Sequence, residues 1–129
     1  DEQTLEAIIA NRYDVLARYG ASLKRTYSQE LERLGHWSAE AESLKPAKRS
    51  FARLQRLSEA ERARLGEAVK NSKQLATAIA MRDELAALWP RSSASRAQLL
   101  KQLQDWCHKA ENSGVVPLAE FSLRLRRYA

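Results

Sequence analysis

Between Lys45 and Arg56 the chain carries five cations and no acid, its most lopsided stretch of charge. Lys45, Lys48, Arg49, Arg53 and Arg56 follow helical spacing, so most share one face opposite Leu44, Phe51 and Leu54. Such a face can hold phosphates, lie on anionic lipid or steer an acidic partner; it can equally be a solvated face paired with neighbouring acids. Arg124, Arg126 and Arg127 form a smaller basic cluster near the C-terminus. Other reactive types are sparse. The two histidines, His36 and His108, are far apart in sequence. Cys107 and His108 are neighbours, but adjacent helical residues point about 100° apart and do not face each other. Cys107 therefore reads as a small core residue. The acids come as local pairs (Glu30/Glu32, Glu40/Glu42, Glu59/Glu61, Asp83/Glu84) and read as helix-start and solvent residues. A two-metal bundle needs repeated Glu-xx-His units on facing helices, and Asp105-xx-His108 occurs once. No glycine-rich phosphate loop, zinc spacing or metalloprotease helix appears. The residues thus give no catalytic and no metal-ligating position.

The elements that must carry these residues are helices. With 129 residues, the chain suits a single domain that buries about two-thirds of its unfolded surface. Four glycines and three prolines argue against turn-dense all-β folds, and one cysteine forbids an intramolecular disulfide. No apolar run approaches the roughly 18 residues of a membrane span, so a soluble domain is expected. Lys and Arg number 22 against 16 acids, a net +6 that permits nucleic acid, anionic lipid or an acidic protein as partner. The chain opens on Asp1, which suggests processing or excision from a longer protein.

Apolar residues from Leu5 to Leu34 recur at steps of three and four and predict one long amphipathic helix, with Thr4 as N-cap and Gly35 as stop. Gly20 inside it would mark the close approach of a neighbour. Trp37 is expected in core or helix-end packing; Ser38 caps a second helix, and Pro46 kinks or restarts it. Ser58 and Glu61 form a capping box for a third helix that ends before Pro90. A polar linker, Arg91 to Ser95, leads to a fourth helix capped by Ser95 and Gln98, with Leu103, Trp106 and Ala110 inward. Gly114 closes it, and Pro117 starts a last helix with Leu118, Phe121, Leu125 and Tyr128. The prediction is all-α: a helical bundle with two or three long amphipathic helices and two shorter C-terminal ones. In it Trp106, Gly114, Phe121 and Tyr128 are structural.

The segment Asp105-Trp106-Cys107-His108-Lys109-Ala110-Glu111-Asn112-Ser113-Gly114, followed by Leu118, Glu120-Phe121, Leu125 and Tyr128, resembles the C-terminal tail of bacterial membrane fatty acid (acyl-CoA) desaturases. The resemblance implies a non-catalytic cytosolic domain at the inner-membrane face, following a membrane-embedded desaturase core in the same parent chain. That parent would hold iron and use oxygen and electrons to desaturate an acyl chain. This chain has no histidine box, so neither a catalytic residue nor a cofactor transfers to it. Lys45–Arg56 would then meet anionic headgroups or an acidic electron-transfer protein. The alternatives are a nucleic-acid-binding helical C-terminal part of an insertion-sequence transposase, or a helical dimerisation module using the first helix. In the transposase reading, the linker from Arg91 to Arg96 would also touch phosphates.

Overall fold

Asp1 starts the first helix, its carboxylate accepting from the Thr4 amide at 2.8 Å. The computed structural model describes residues 1–91 and 94–129. Ser92 and Ser93 of the expected polar linker lie outside the described residues. Helix α1 (Glu2–Ala10) breaks at Asn11, where φ is −127° and ψ is 44°, and α2 (Arg12–Leu34) follows. The single helix predicted from Leu5 to Leu34 is therefore two. The Asn11 side-chain amide donates to the Ala7 carbonyl at 2.7 Å, competing locally with the helical ladder. Gly35 ends α2 at φ 87°, a conformation that favours glycine.

The Ser38 hydroxyl accepts from Ala41 at 3.0 Å and starts α3 (Ala39–Leu44). The chain then tightens into a 3-10 segment, Lys45–Arg53, with Pro46 in its first turn. Proline has no amide to donate and clashes with the carbonyl four residues back, so the α-helix cannot run through it. The Ser58–Glu61 capping box opens α4 (Glu59–Ala68), and Ser72 caps α5 (Lys73–Ala86). This is the second break that periodicity hides. The buried Ser72 hydroxyl accepts from Leu75 at 3.0 Å and donates to Glu30 Oε1 on α2 at 2.6 Å. One residue thus both begins α5 and ties it to α2. After a short 3-10 turn at Trp89–Arg91, Ser95 and Gln98 cap α6 (Arg96–Glu111) reciprocally. Gly114, at φ 79°, turns the chain into α7 (Val116–Leu125), with Pro117 in its first turn.

The all-α bundle holds, and among the described residues there is no strand. The 23 residues of α2 make it the axis, with α5, α7, α3 and the Lys45–Arg53 segment packed along it. Helix α6 packs on α7, α5 and α1. One apolar cluster runs from Leu5 to Tyr128 through all of these elements. At its centre Phe121 meets Tyr19 edge-on at 4.9 Å and Trp106 at 5.9 Å. The polar ends of these rings are satisfied: Tyr19 donates to the Ala78 carbonyl and Trp106 to that of Met81. Burying each such side chain contributes about 1.5–3 kcal/mol. Gly20 is no contact point, because a Cβ built on it meets nothing within 4 Å. Trp37 is not in the core either. It is 89% exposed, with Lys45 Nζ 5.2 Å from its ring.

Candidate functional site

Ala47, Phe51 and Leu54 turn into the core and hold the Lys45–Arg53 segment against α2 and α4. Their burial forces the intervening cations outward. Lys48, Arg49, Arg53 and Arg56 are all exposed, while Lys45 is half-buried. The five expected cations do not act alike. Lys45 Nζ lies 2.6 Å from Glu42 Oε1 and over Trp37, and Arg53 lies 3.1 Å from Glu61 Oε2. Among the described residues, Lys48, Arg49 and Arg56 make no ion pair within 4.0 Å.

The α4 capping box adds two residues to this face. It points Glu61 back toward the 3-10 segment and places Arg64, one turn later, along the same side. Between the two elements lies an open groove of about 310 Å³ bordered by Pro46, Arg49, Arg53, Glu61, Arg64 and Leu65. Arg64 is exposed, and it too makes no ion pair within 4.0 Å among the described residues. Sequence reasoning missed it because it belongs to a different element. The signal available was its place three residues after Glu61, on the turn that the capping box orients. The Glu61 carboxyl is held below the usual carboxylate range by the Ser58 amide and hydroxyl, with Arg53 lowering it further. It remains an anion at neutral pH and is the one acid bordering this groove among the described residues. Arg62 faces elsewhere: it donates to the Leu54 carbonyl and pairs with Asp83 at 3.1 Å, so its role is to tie α4 to its neighbours.

The remaining candidates are packing residues. Trp106 and Phe121 share the aromatic centre, and Gly114 makes the turn between α6 and α7. The Tyr128 hydroxyl donates to Asp14 Oδ2 at 2.5 Å, which raises its pKa, and Arg18 lies over its ring at 5.2 Å. The C-terminus is thereby latched to α2. Burial pushes the Cys107 thiol up, away from thiolate chemistry. In the C-terminal basic cluster, Arg126 pairs with Glu111 at 2.7 Å, while Arg124 and Arg127 are exposed. Among the described residues no three of His, Cys, Asp and Glu gather as a group able to hold a metal ion.

The family model DDE_Tnp_ISL3, described as Transposase, matches residues 5–129. No curated protein and no solved structure gives a match. The family match overturns the desaturase resemblance and, with it, acyl-chain desaturation and a place at the inner-membrane face, and it lends no support to an embedded desaturase core as partner. Among the described residues no helix is long and apolar enough to cross a membrane. The physical reason for the error lies in the α6–α7 hairpin. Trp106 and Phe121 meet across it, Gly114 supplies positive φ, and Pro117 supplies a helix start. Any helical hairpin with an aromatic seam needs those residue types, so their spacing reports the hairpin and not the family.

Proposed function

This chain belongs to the DDE_Tnp_ISL3 transposase family, and we propose that within such an enzyme it grips duplex DNA through phosphates, using the Lys45–Arg56 segment and α4. The observation that carries the reading is the set of unpaired, exposed cations Lys48, Arg49, Arg56 and Arg64 on two adjoining elements. Phosphate contacts supply most sequence-independent affinity for DNA, and each neutralised phosphate releases counterions. The role proposed for this face is positioning, because contacts to phosphate fix register and affinity and carry no sequence information. The family name denotes an Asp-Asp-Glu core, but the acids described here do not fit one, since no three of them gather to hold a cation. No chemical step is assigned to this chain.

Titrating the chain with fluorescent duplex DNA at several salt concentrations tests the reading. Four phosphate contacts would make log K fall with log salt at a slope of about −3.6. The K48E/R49E double variant should lose binding with its helical CD spectrum intact. Duplex binding that is indifferent to K48E/R49E, or matched by binding to vesicles of anionic lipid, would overturn it.

A further inference from the structure

A second groove runs along the other flank of the 3-10 segment, between α2 and the side of that segment carrying Phe51. It extends along α2 from Arg12 to Lys24, about 18 Å at 1.5 Å per residue, and encloses about 600 Å³. Its wall is apolar and its middle is open, because Gly20 sits there with no atom within 4 Å of where a Cβ would be. Three cations punctuate it, Arg12, Lys24 and Arg82, and among the described residues no acid lines it.

Arg82 is the informative one. It comes from α5, its side chain is only 11% exposed, and its nearest good partner is the neutral Gln55 Oε1 at 3.0 Å. Asp83 stands 3.8 Å away and is already held by Arg62 at 3.1 Å. Burial depresses the Arg82 pKa; Asp83 opposes this, and the positive charges of Arg12 and Arg62 add to it. A buried cation whose anion stands 3.8 Å away and is shared with Arg62 is poorly compensated, and an incoming anion would complete its pairing. At the mouth stands Tyr13, 90% exposed, an aromatic ring with nothing packed over it.

We propose that this groove takes a single-stranded nucleic-acid segment of a few nucleotides, with bases against Tyr13 and the apolar wall and phosphates at Arg12, Arg82 and Lys24. Aromatic faces beside a cationic track are how single strands are held without sequence preference. A duplex hides its bases in the stack and would gain nothing from the apolar wall. An acidic amphipathic helix would also satisfy the cations, and the experiment below includes one as a competing occupant. The inference goes beyond the duplex reading and uses other residues; the 3-10 segment separates the two surfaces.

The experiment follows binding of a fluorescent oligothymidylate, with duplex DNA titrated in parallel, to the chain and to three variants. Gly20→Leu fills the groove at a helical position where an added Cβ has no neighbour within 4 Å. Tyr13→Ala removes a ring that contributes nothing to the core. Both should weaken oligothymidylate binding about tenfold, the scale of one lost base–aromatic stack, and leave duplex binding unchanged. K48E/R49E should do the reverse, so failure of either reading shows in its own titration. Oligothymidylate binding that Gly20→Leu and Tyr13→Ala leave untouched overturns the proposal. So does a wild-type chain that ignores oligothymidylate; an acidic amphipathic peptide that binds instead and is blocked by Gly20→Leu would then be the groove's occupant.

Discussion

Gly20 shows what a single residue contributes when packing does not explain it. It lies in the interior of α2, where glycine is about 1 kcal/mol less favourable than alanine, and no neighbour comes within 4 Å of the missing Cβ. Gly20→Ala should therefore stabilise the fold by about that amount, raising the melting temperature by a few degrees; no rise would mean that an alanine methyl is not accommodated there. Glu30 is the opposite case, a buried carboxylate whose loss should hurt. Arg33 donates to it twice, at 2.8 and 2.9 Å, and Ser72 once. Arg33 foremost, with Ser72, holds its pKa below the usual value against the opposing effect of burial. The folded state then binds the proton less readily than the unfolded chain. The resulting stability is fully present above the unfolded pKa and is lost as pH falls through the lowered folded value. Glu30→Gln should cost about 2 kcal/mol near neutral pH, the scale of hydrogen bonds to a charged group. Urea unfolding at pH 7 and at pH 3 checks this: the gap between wild type and variant should narrow in acid, and a constant gap would remove charge from the explanation.

The α6–α7 hairpin makes the corresponding argument for elements. Phe121 reaches from α7 to Tyr19 on α2 and Trp106 on α6, so one ring joins three helices. Phe121→Ala should destabilise the chain by about 3–5 kcal/mol, the range for truncating a buried aromatic. Chemical denaturation would read it directly, and a loss below about 1 kcal/mol would mean that the seam is not where the hairpin is held. This hairpin was legible in sequence because every signal in it is local: the Ser95 cap, the Gly114 turn, Pro117 and the four-residue stripe. Ser38, Gly35 and the Ser58–Glu61 box were legible for the same reason. The breaks at Asn11 and Ser72 were not, because the apolar stripe continues across both. What sets the second break is a hydroxyl reaching Glu30, 42 positions away in sequence. The candidate site divides similarly. Its run of cations could be read off the chain, whereas the pairing of Lys45 and Arg53, and the arrival of Arg64 from α4, exist only once elements pack. Family membership was least legible, since the firmest of the residues that carried the resemblance, Trp106, Gly114 and Phe121, make the hairpin's seam and turn.

At the scale of the whole molecule the charge pattern matters more than its sum. The 22 lysines and arginines are spread over many surfaces, yet several are neutralised locally by pairs such as Arg25–Glu120 at 2.8 Å and Lys109–Glu84 at 2.9 Å. Exposed pairs of this kind add little stability and mainly shape the field a polyanion meets. Within the proposed duplex-binding groove, Glu61 is the residue that works against binding, because it is anionic and occupies Arg53 at 3.1 Å. Glu61→Gln isolates that effect. Glutamine at this position can still reach back to the Ser58 amide, so the capping box and α4 should survive. The substitution removes one negative charge and frees one guanidinium for phosphate. Duplex binding should tighten, and the dependence of log K on log salt should steepen by about 0.9, the signature of one additional phosphate contact. Thermal melting in parallel keeps the comparison clean by showing whether the fold is unchanged. If Glu61→Gln leaves both the affinity and the salt slope where they were, Arg53 is not a contact and the duplex does not sit in this groove.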